Sequence, residues 1–283
     1  MNEISHVTDH AHALGLAMPA VERRPQPGNA DSLSALHWGT DPRFVFLHGA
    51  SLNAHTWNGV LLRLGKPAVA YDLPGHGRSP RLAPDGYTIS NMAGLIAQAV
   101  RLDVQQDFTL VGHSLGAMVS VVLAARHGVP VDRLVLLDAT PHGLGGSAGD
   151  PEVRQVGTFD ELVDAVHVRV PHRDRKSLIR GVSMNVRERS DGLMEWRWDP
   201  KFRGSARLRG AEKPEVWSAL ASLDLPITLI RGERSRLVTD EMTREFLRYA
   251  PHATVEIAPK SGHNVHTDAA AWVADRLLAL TAV

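Results

Sequence analysis

The sequence contains no cysteine. A disulfide framework, a thiolate nucleophile and a cysteine-based metal site are therefore excluded, and the redox compartment is left open. An excess of one charge is also missing: 31 Lys and Arg balance 31 Asp and Glu, for a formal net charge of zero. A general nucleic-acid binder would carry a basic excess, so no nucleic-acid partner is expected. No uncharged apolar run approaches the ~18–20 residues that cross a bilayer, so no membrane span is expected either. The short apolar stretch at residues 13–18 has no Lys or Arg before it. That is unlike a secretory signal, and a cytoplasmic location is expected. His6, His10 and His12 read as part of a flexible polar terminus rather than as a metal site. Nor is there a His-Glu-x-x-His, EF-hand or phosphate-loop spacing, so neither metal nor cofactor is expected.

What is present is ordinary globular composition, 43% hydrophobic and 22% charged over 283 residues. That suits one large α/β domain carrying an insertion. From residue 33 onward, short β-rich runs alternate with helical patterns, which predicts a mostly parallel sheet flanked by helices. Strands are expected at 33–38, 43–47, 67–71, 108–111, 134–137, 227–230 and 254–257, and helices at 88–101, 115–126, 239–249 and 269–280. The buried strands stop at Gly, Asp or His, and open α/β sheets build their sites at such carboxyl ends. Residues 141–213 break the rhythm. They are too long and too amphipathic for a plain loop. They read as a mainly helical lid inserted into a core of residues 31–140 and 214–283, with 1–30 as a partly flexible N-terminal extension.

Gly112-His113-Ser114-Leu115-Gly116 lies between an expected strand and an alanine-rich helix. A sharp strand-to-helix turn strains the central residue, and the flanking glycines remove side chains that would clash. Ser114 is then exposed at a helix N-terminus, whose dipole favours developing negative charge. An acyl-transfer site also needs two N–H donors for the oxyanion. Leu115 supplies one; the loop Phe46-Leu47-His48-Gly49-Ala50-Ser51 supplies the other, from Ala50 or else Ser51. His48 and His76 are expected to order loops. The base must be a neutral imidazole within reach of Ser114. His263, after the last strand, is the first choice and His266 the second. His113 sits beside the nucleophile but cannot easily turn back to it. Ser51, His113, Trp196 and Trp198 are candidate pocket residues.

Taken in order, the His48-Gly49 loop, Asp72-Leu-Pro-Gly-His-Gly-Arg-Ser79, Gly112-His-Ser-Leu-Gly116, Leu136-Leu137-Asp138-Ala139-Thr140-Pro141 and Gly262-His263 resemble the α/β-hydrolase superfamily. The likeness runs from about residue 30 to the end. Residues 191–200 look like the lid of bacterial esterase-like members. The resemblance implies the α/β-hydrolase fold but leaves the substrate open. It also exposes a departure. Most relatives carry the catalytic acid as Gly-x-x-Asp after the strand at 227–230, where this chain has Gly232-Glu-Arg-Ser235. A hydroxyl cannot stabilise an imidazolium as a carboxylate does. A branch of the superfamily places its acid where Asp138 stands, so Asp138 is the expected acid, with Glu233 and Asp240 as alternatives. The implied activity is a serine hydrolase for a carboxylic ester, thioester or lactone, with a small-molecule acyl substrate and water as partners. A C–C bond hydrolase using the same Ser-His-Asp set, or a slow-turnover ligand receptor on the same fold, are the rival readings.

Overall fold

A computed structural model of the chain describes residues 3–25, 32–144, 155–171 and 173–282. In chain order the main elements are helix α1 (Glu3–Leu14), strands β1 (Val21–Pro25), β2 (Ser34–Trp38) and β3 (Phe44–Leu47), helix α2 (Asn58–Leu64), strand β4 (Ala68–Tyr71), helix α3 (Ile89–Asp103), strand β5 (Phe108–His113), helix α4 (Leu115–Arg126) and strand β6 (Val131–Leu137). The inserted segment follows, with β7 (Val156–Gly157), α5 (Phe159–Arg169), α6 (Arg175–Asn185), β8 (Val186–Glu188), β9 (Met194–Trp196), α7 (Lys201–Gly204) and α8 (Ala206–Ala211). The chain then returns through α9 (Lys213–Ala221), β10 (Ile227–Gly232), α10 (Asp240–Tyr249), β11 (Thr254–Ala258), α11 (Val265–Asp268) and α12 (Ala270–Thr281).

Eight strands form one sheet in the order β1-β2-β4-β3-β5-β6-β10-β11. The six strands from β4 to β11 run parallel; β1 and β2 are antiparallel at one edge. β3, β4, β5 and β10 are buried on both faces, which is why they read as near-continuous apolar runs, whereas β11 at the far edge is partly exposed. Side chains alternate between faces. Val45 and Leu47 pack with α3, α4 and α9, whereas Phe44 and Phe46 pack with α1, α2 and α12. Helix starts follow local chemistry. Thr88 and Thr239 accept the backbone N–H of Asn91 and Met242 at the starts of α3 and α10, satisfying donors with no partner in the first turn.

The N-terminus departs from the expected extension. Ile4, Val7, Ala11 and Leu14 lie on one helical stripe, and Val7 and Ala11 are fully buried against the sheet. The three histidines interleaved with them mask that period in the sequence. β1 then pairs with β2. Residues 26–31 lie outside those described.

Among its described residues the inserted segment holds helices α5 to α8 together with a small antiparallel sheet, β7-β9-β8. The 186–196 hairpin turns at Gly192, whose φ of 78° suits glycine. Residues 145–154 and 172 of this segment lie outside those described. The rest is tied firmly to the core. Asn53 donates to the Met184 carbonyl and the Asn185 side chain, both at 2.8 Å. Tyr87 donates to Asp199 at 2.7 Å, and Arg173 pairs with Asp268 at 2.6 Å. Glu212 accepts the backbone N–H groups of Ile89 and Ser90 at the start of α3. Among the described residues, no helix is long and apolar enough to cross a membrane.

Candidate active site

β5 ends in a sharp turn in which Ser114 has φ 52° and ψ −115°. A serine with positive φ is strained, and such strain concentrates at functional turns. Packing holds it there. A Cβ at Gly112 would lie 2.6 Å from Ala117 Cα, and one at Gly116 would lie 2.3 Å from the Leu47 carbonyl oxygen. Both glycines are therefore required by close backbone approach. Ser114 precedes α4 without capping it. Among the described residues its hydroxyl has no hydrogen-bond partner, consistent with contacts that tighten only around substrate.

His263 follows β11. Its Nδ1–H donates to Asp138 Oδ2 at 2.8 Å, which leaves Nε2 as the acceptor. Asp138, at the end of β6, is 1% exposed and has φ 48°. Its Oδ1 accepts the Gly232 backbone N–H at 3.0 Å, and its Oδ2 also accepts the Ser235 hydroxyl at 2.6 Å. The other two carboxylates lead elsewhere. Glu233 is exposed and accepts the Lys260 backbone N–H. Asp240 is exposed and paired with Arg231, whose hydrogen bond and then charge hold its carboxyl below the usual range.

His48 and His76 order the loops beside the turn. His48 Nδ1 donates to the Gly49 carbonyl and its Nε2 accepts the Leu73 N–H. His76 Nδ1 donates to the Pro74 carbonyl and its Nε2 accepts the Ser51 N–H. Both are fully buried neutral rings; burial lowers His48 to about 4 and His76 to about 3. Together they fix the loop at 48–51, where Ser51 has φ 62°. Neither the Ala50 N–H nor the Leu115 N–H is taken by another group among the described residues.

His113 lies under this arrangement. Its Nε2–H donates to the His263 carbonyl at 3.0 Å, and its ring meets those of His263 and His266 at 4.7 and 4.3 Å. It is 1% exposed and does not line the cavity, unlike the pocket role expected for it. His266 is equally buried and is bonded to Thr56 at 2.7 Å. Burial above all, then neighbouring charge, keeps both rings far below the usual histidine range.

A cavity of about 490 Å³ adjoins the site. Ser51, Trp196 and Trp198 line it, together with Asn264 beside His263. The two tryptophans also pack among Leu162, Val163, Leu178, Val182 and Val186, so they serve wall and core at once. Sequence reasoning missed Ser235 as a partner of Asp138. It also missed the need for glycine at 49, where a Cβ would meet His113 Nδ1 at 2.6 Å and Ser114 Cβ at 3.1 Å. Among the described residues, no group of three or more His, Asp or Glu could hold a metal ion.

The sequence model described as "Alpha/beta hydrolase family" matches residues 44–276. The chain belongs to the alpha/beta hydrolase family. This hydrolase is similar to esterase Rv0045c of Mycobacterium tuberculosis, with 37% identity over 95% of this chain and 92% of that one. A crystal structure of that esterase superposes with a TM-score of 0.86 at 34% identity, covering 100% of this hydrolase and 99% of the other chain. 2-(Acetamidomethylene)succinate hydrolase of Mesorhizobium japonicum is 27% identical over 87% of this chain and 90% of its own.

Proposed function

We propose that the protein is a serine hydrolase that cleaves a carboxylic ester, thioester or lactone through an acyl-enzyme on Ser114. The observation that carries this reading is the 2.8 Å bond from His263 Nδ1 to the buried Asp138, at the same carboxyl end of the parallel strands as a strained serine flanked by two obligatory glycines. Similarity to an esterase over nearly the whole chain supports an ester as the bond.

In this reading His263 Nε2 takes the Ser114 proton as Oγ attacks the substrate carbonyl. Asp138 fixes the tautomer and stabilises the imidazolium. The Leu115 and Ala50 N–H groups receive the oxyanion, in a setting where one such donor is worth about 10²–10³ in kcat. The imidazolium then protonates the leaving alcohol or thiol. His263 next activates a water that releases the acid and restores Ser114. His266 is a poor substitute base, since it is buried and committed to Thr56. The inserted segment acts as the lid of the acyl pocket, with Trp196 and Trp198 in its wall.

Labelling by a fluorophosphonate and hydrolysis of a p-nitrophenyl ester series test the reading. Ser114→Ala is expected to abolish labelling and to lower kcat by about 10⁴–10⁶ while keeping the fold. Wild-type turnover in the purified variant would end it.

A further inference from the structure

The cavity beside the site has an unbalanced charge. It is lined by Ser51 and Asn264, neighbours of the proposed oxyanion donor and base, and also by His10 of α1, Arg63 of α2 and Arg180 of α6. α1 packs on both α2 and α6, which brings these three side chains to one wall. Among the described residues, no Asp or Glu lines the cavity. Arg169 and Arg173 also line it, and Arg173 is neutralised by Asp268. Arg63 donates only to the Gly59 carbonyl, at 2.8 Å. Among the described residues, neither Arg63 nor Arg180 pairs with a carboxylate.

A guanidinium in a partly enclosed wall loses hydration and calls for an anionic partner. The environment of His10 registers the same field: burial, then Arg180, then Arg63 lower its pKa to about 4. Near neutrality His10 is therefore an uncharged hydrogen-bonding group between two cations, with a buried Nδ1 that has no protein partner.

We infer that Arg63, Arg180 and His10 form an anion subsite, and that the substrate carries a carboxylate or phosphate remote from the bond that is cleaved. The inference rests on the hydrolase reading and names its substrate class. The remote anion is held by the two guanidinium groups while the scissile carbonyl lies toward Ser51 and Asn264. A neutral ester of the same length fills the cavity without engaging that wall.

Two arms separate the sources of the anion. In one, p-nitrophenyl half-esters of linear dicarboxylic acids are compared with p-nitrophenyl alkanoates of equal length. In the other, acyl thioesters of phosphopantetheine are compared with those of pantetheine. A charged hydrogen bond in such a wall is expected to raise kcat/KM for the anionic member of one pair by about tenfold or more. Arg180→Gln and Arg63→Gln should collapse that ratio, Arg180→Lys should recover part of it, and Arg248→Gln on the exposed surface should leave it alone. The arm that responds identifies the anion as carboxylate or phosphate. A wild-type ratio at or below one in both arms overturns the inference, as does a ratio that survives both glutamine substitutions. Failure of the hydrolase reading is seen separately, as absence of fluorophosphonate labelling. The subsite then still stands or falls on the tryptophan fluorescence of the Ser114→Ala protein, titrated with glutarate and with inorganic phosphate. Saturable quenching lost in Arg180→Gln supports it; no response to either anion sinks it.

Discussion

Ser235 donates its hydroxyl to Asp138 Oδ2 at 2.6 Å, on the same oxygen that accepts from His263. The residue at the position where most relatives carry the acid thus supports the acid supplied by another strand. Its oxygen also accepts the backbone N–H groups of Leu237 and Val238, so its orientation is fixed. Hydrogen bonds to charged groups are worth roughly 1.5–3 kcal/mol. Ser235→Ala leaves Asp138 with Gly232 and His263, so about a tenfold fall in kcat is expected, at the low end of that range. Steady-state kinetics alongside a melting curve check it; full activity would make the contact incidental.

Asp138→Asn is expected to cost about 10³–10⁴ in kcat, because an amide cannot support the imidazolium. Glu233→Gln and Asp240→Asn should each stay within a few-fold of wild type. Both carboxylates are exposed and engaged with Lys260 and Arg231. Partial recovery by Ser235→Asp in the Asp138→Asn background would show that the two positions address one histidine. A large loss in Glu233→Gln would overturn the assignment of the acid.

Gly49→Ala tests the oxyanion loop. The added methyl would sit 2.6 Å from His113 Nδ1, and His113 is pinned to the His263 carbonyl. The loop must shift rather than the ring. Displacement of catalytic groups by about 1 Å can cost about 10²-fold. The expected signature is a loss of that order in kcat with a smaller change in KM.

Buried neutral histidines make stability fall in acid. His48, His76, His113 and His266 all have lowered folded-state values. Below the ordinary histidine value of about 6.5 the unfolded chain binds protons that the folded chain excludes. Stability is thus fully present above that pH and declines as pH falls toward 4, by up to about 1.4 kcal/mol per pH unit for each group. Melting temperatures should be level from pH 7 to 8 and drop steeply between 6.5 and 5. A flat profile to pH 5 would contradict the burial argument.

Trp198→Ala should change both specificity and stability, because the ring is cavity wall and core together. Large-to-small changes of this kind cost about 3–5 kcal/mol. The optimum in a p-nitrophenyl acyl-length series should move to longer chains as the cavity enlarges. An unchanged optimum would place the acyl group elsewhere.

The sheet and the serine turn were legible because parallel strands buried on both faces leave apolar runs ending at Gly, Asp or His. β3 to β6, β10 and β11 all lie within a few residues of their expected ranges. α1 was hidden by histidines between its apolar positions. β1, with the sequence Val-Glu-Arg-Arg-Pro, lacks the alternation that marks a half-buried strand. The basic cavity wall was illegible for another reason. His10, Arg63 and Arg180 come from three helices far apart in the chain, and only packing unites them.

The edge strand β1 carries one more obligation. Arg23 reaches Asp72 at 2.7 Å. That carboxylate is sealed from solvent and also holds the backbone N–H groups of Ala54 and Arg78. A chain trimmed to begin at Leu33 would strand a buried anion without its cation and strip His10 and Leu14 from the cavity wall. The front of this protein is therefore a poor place to shorten.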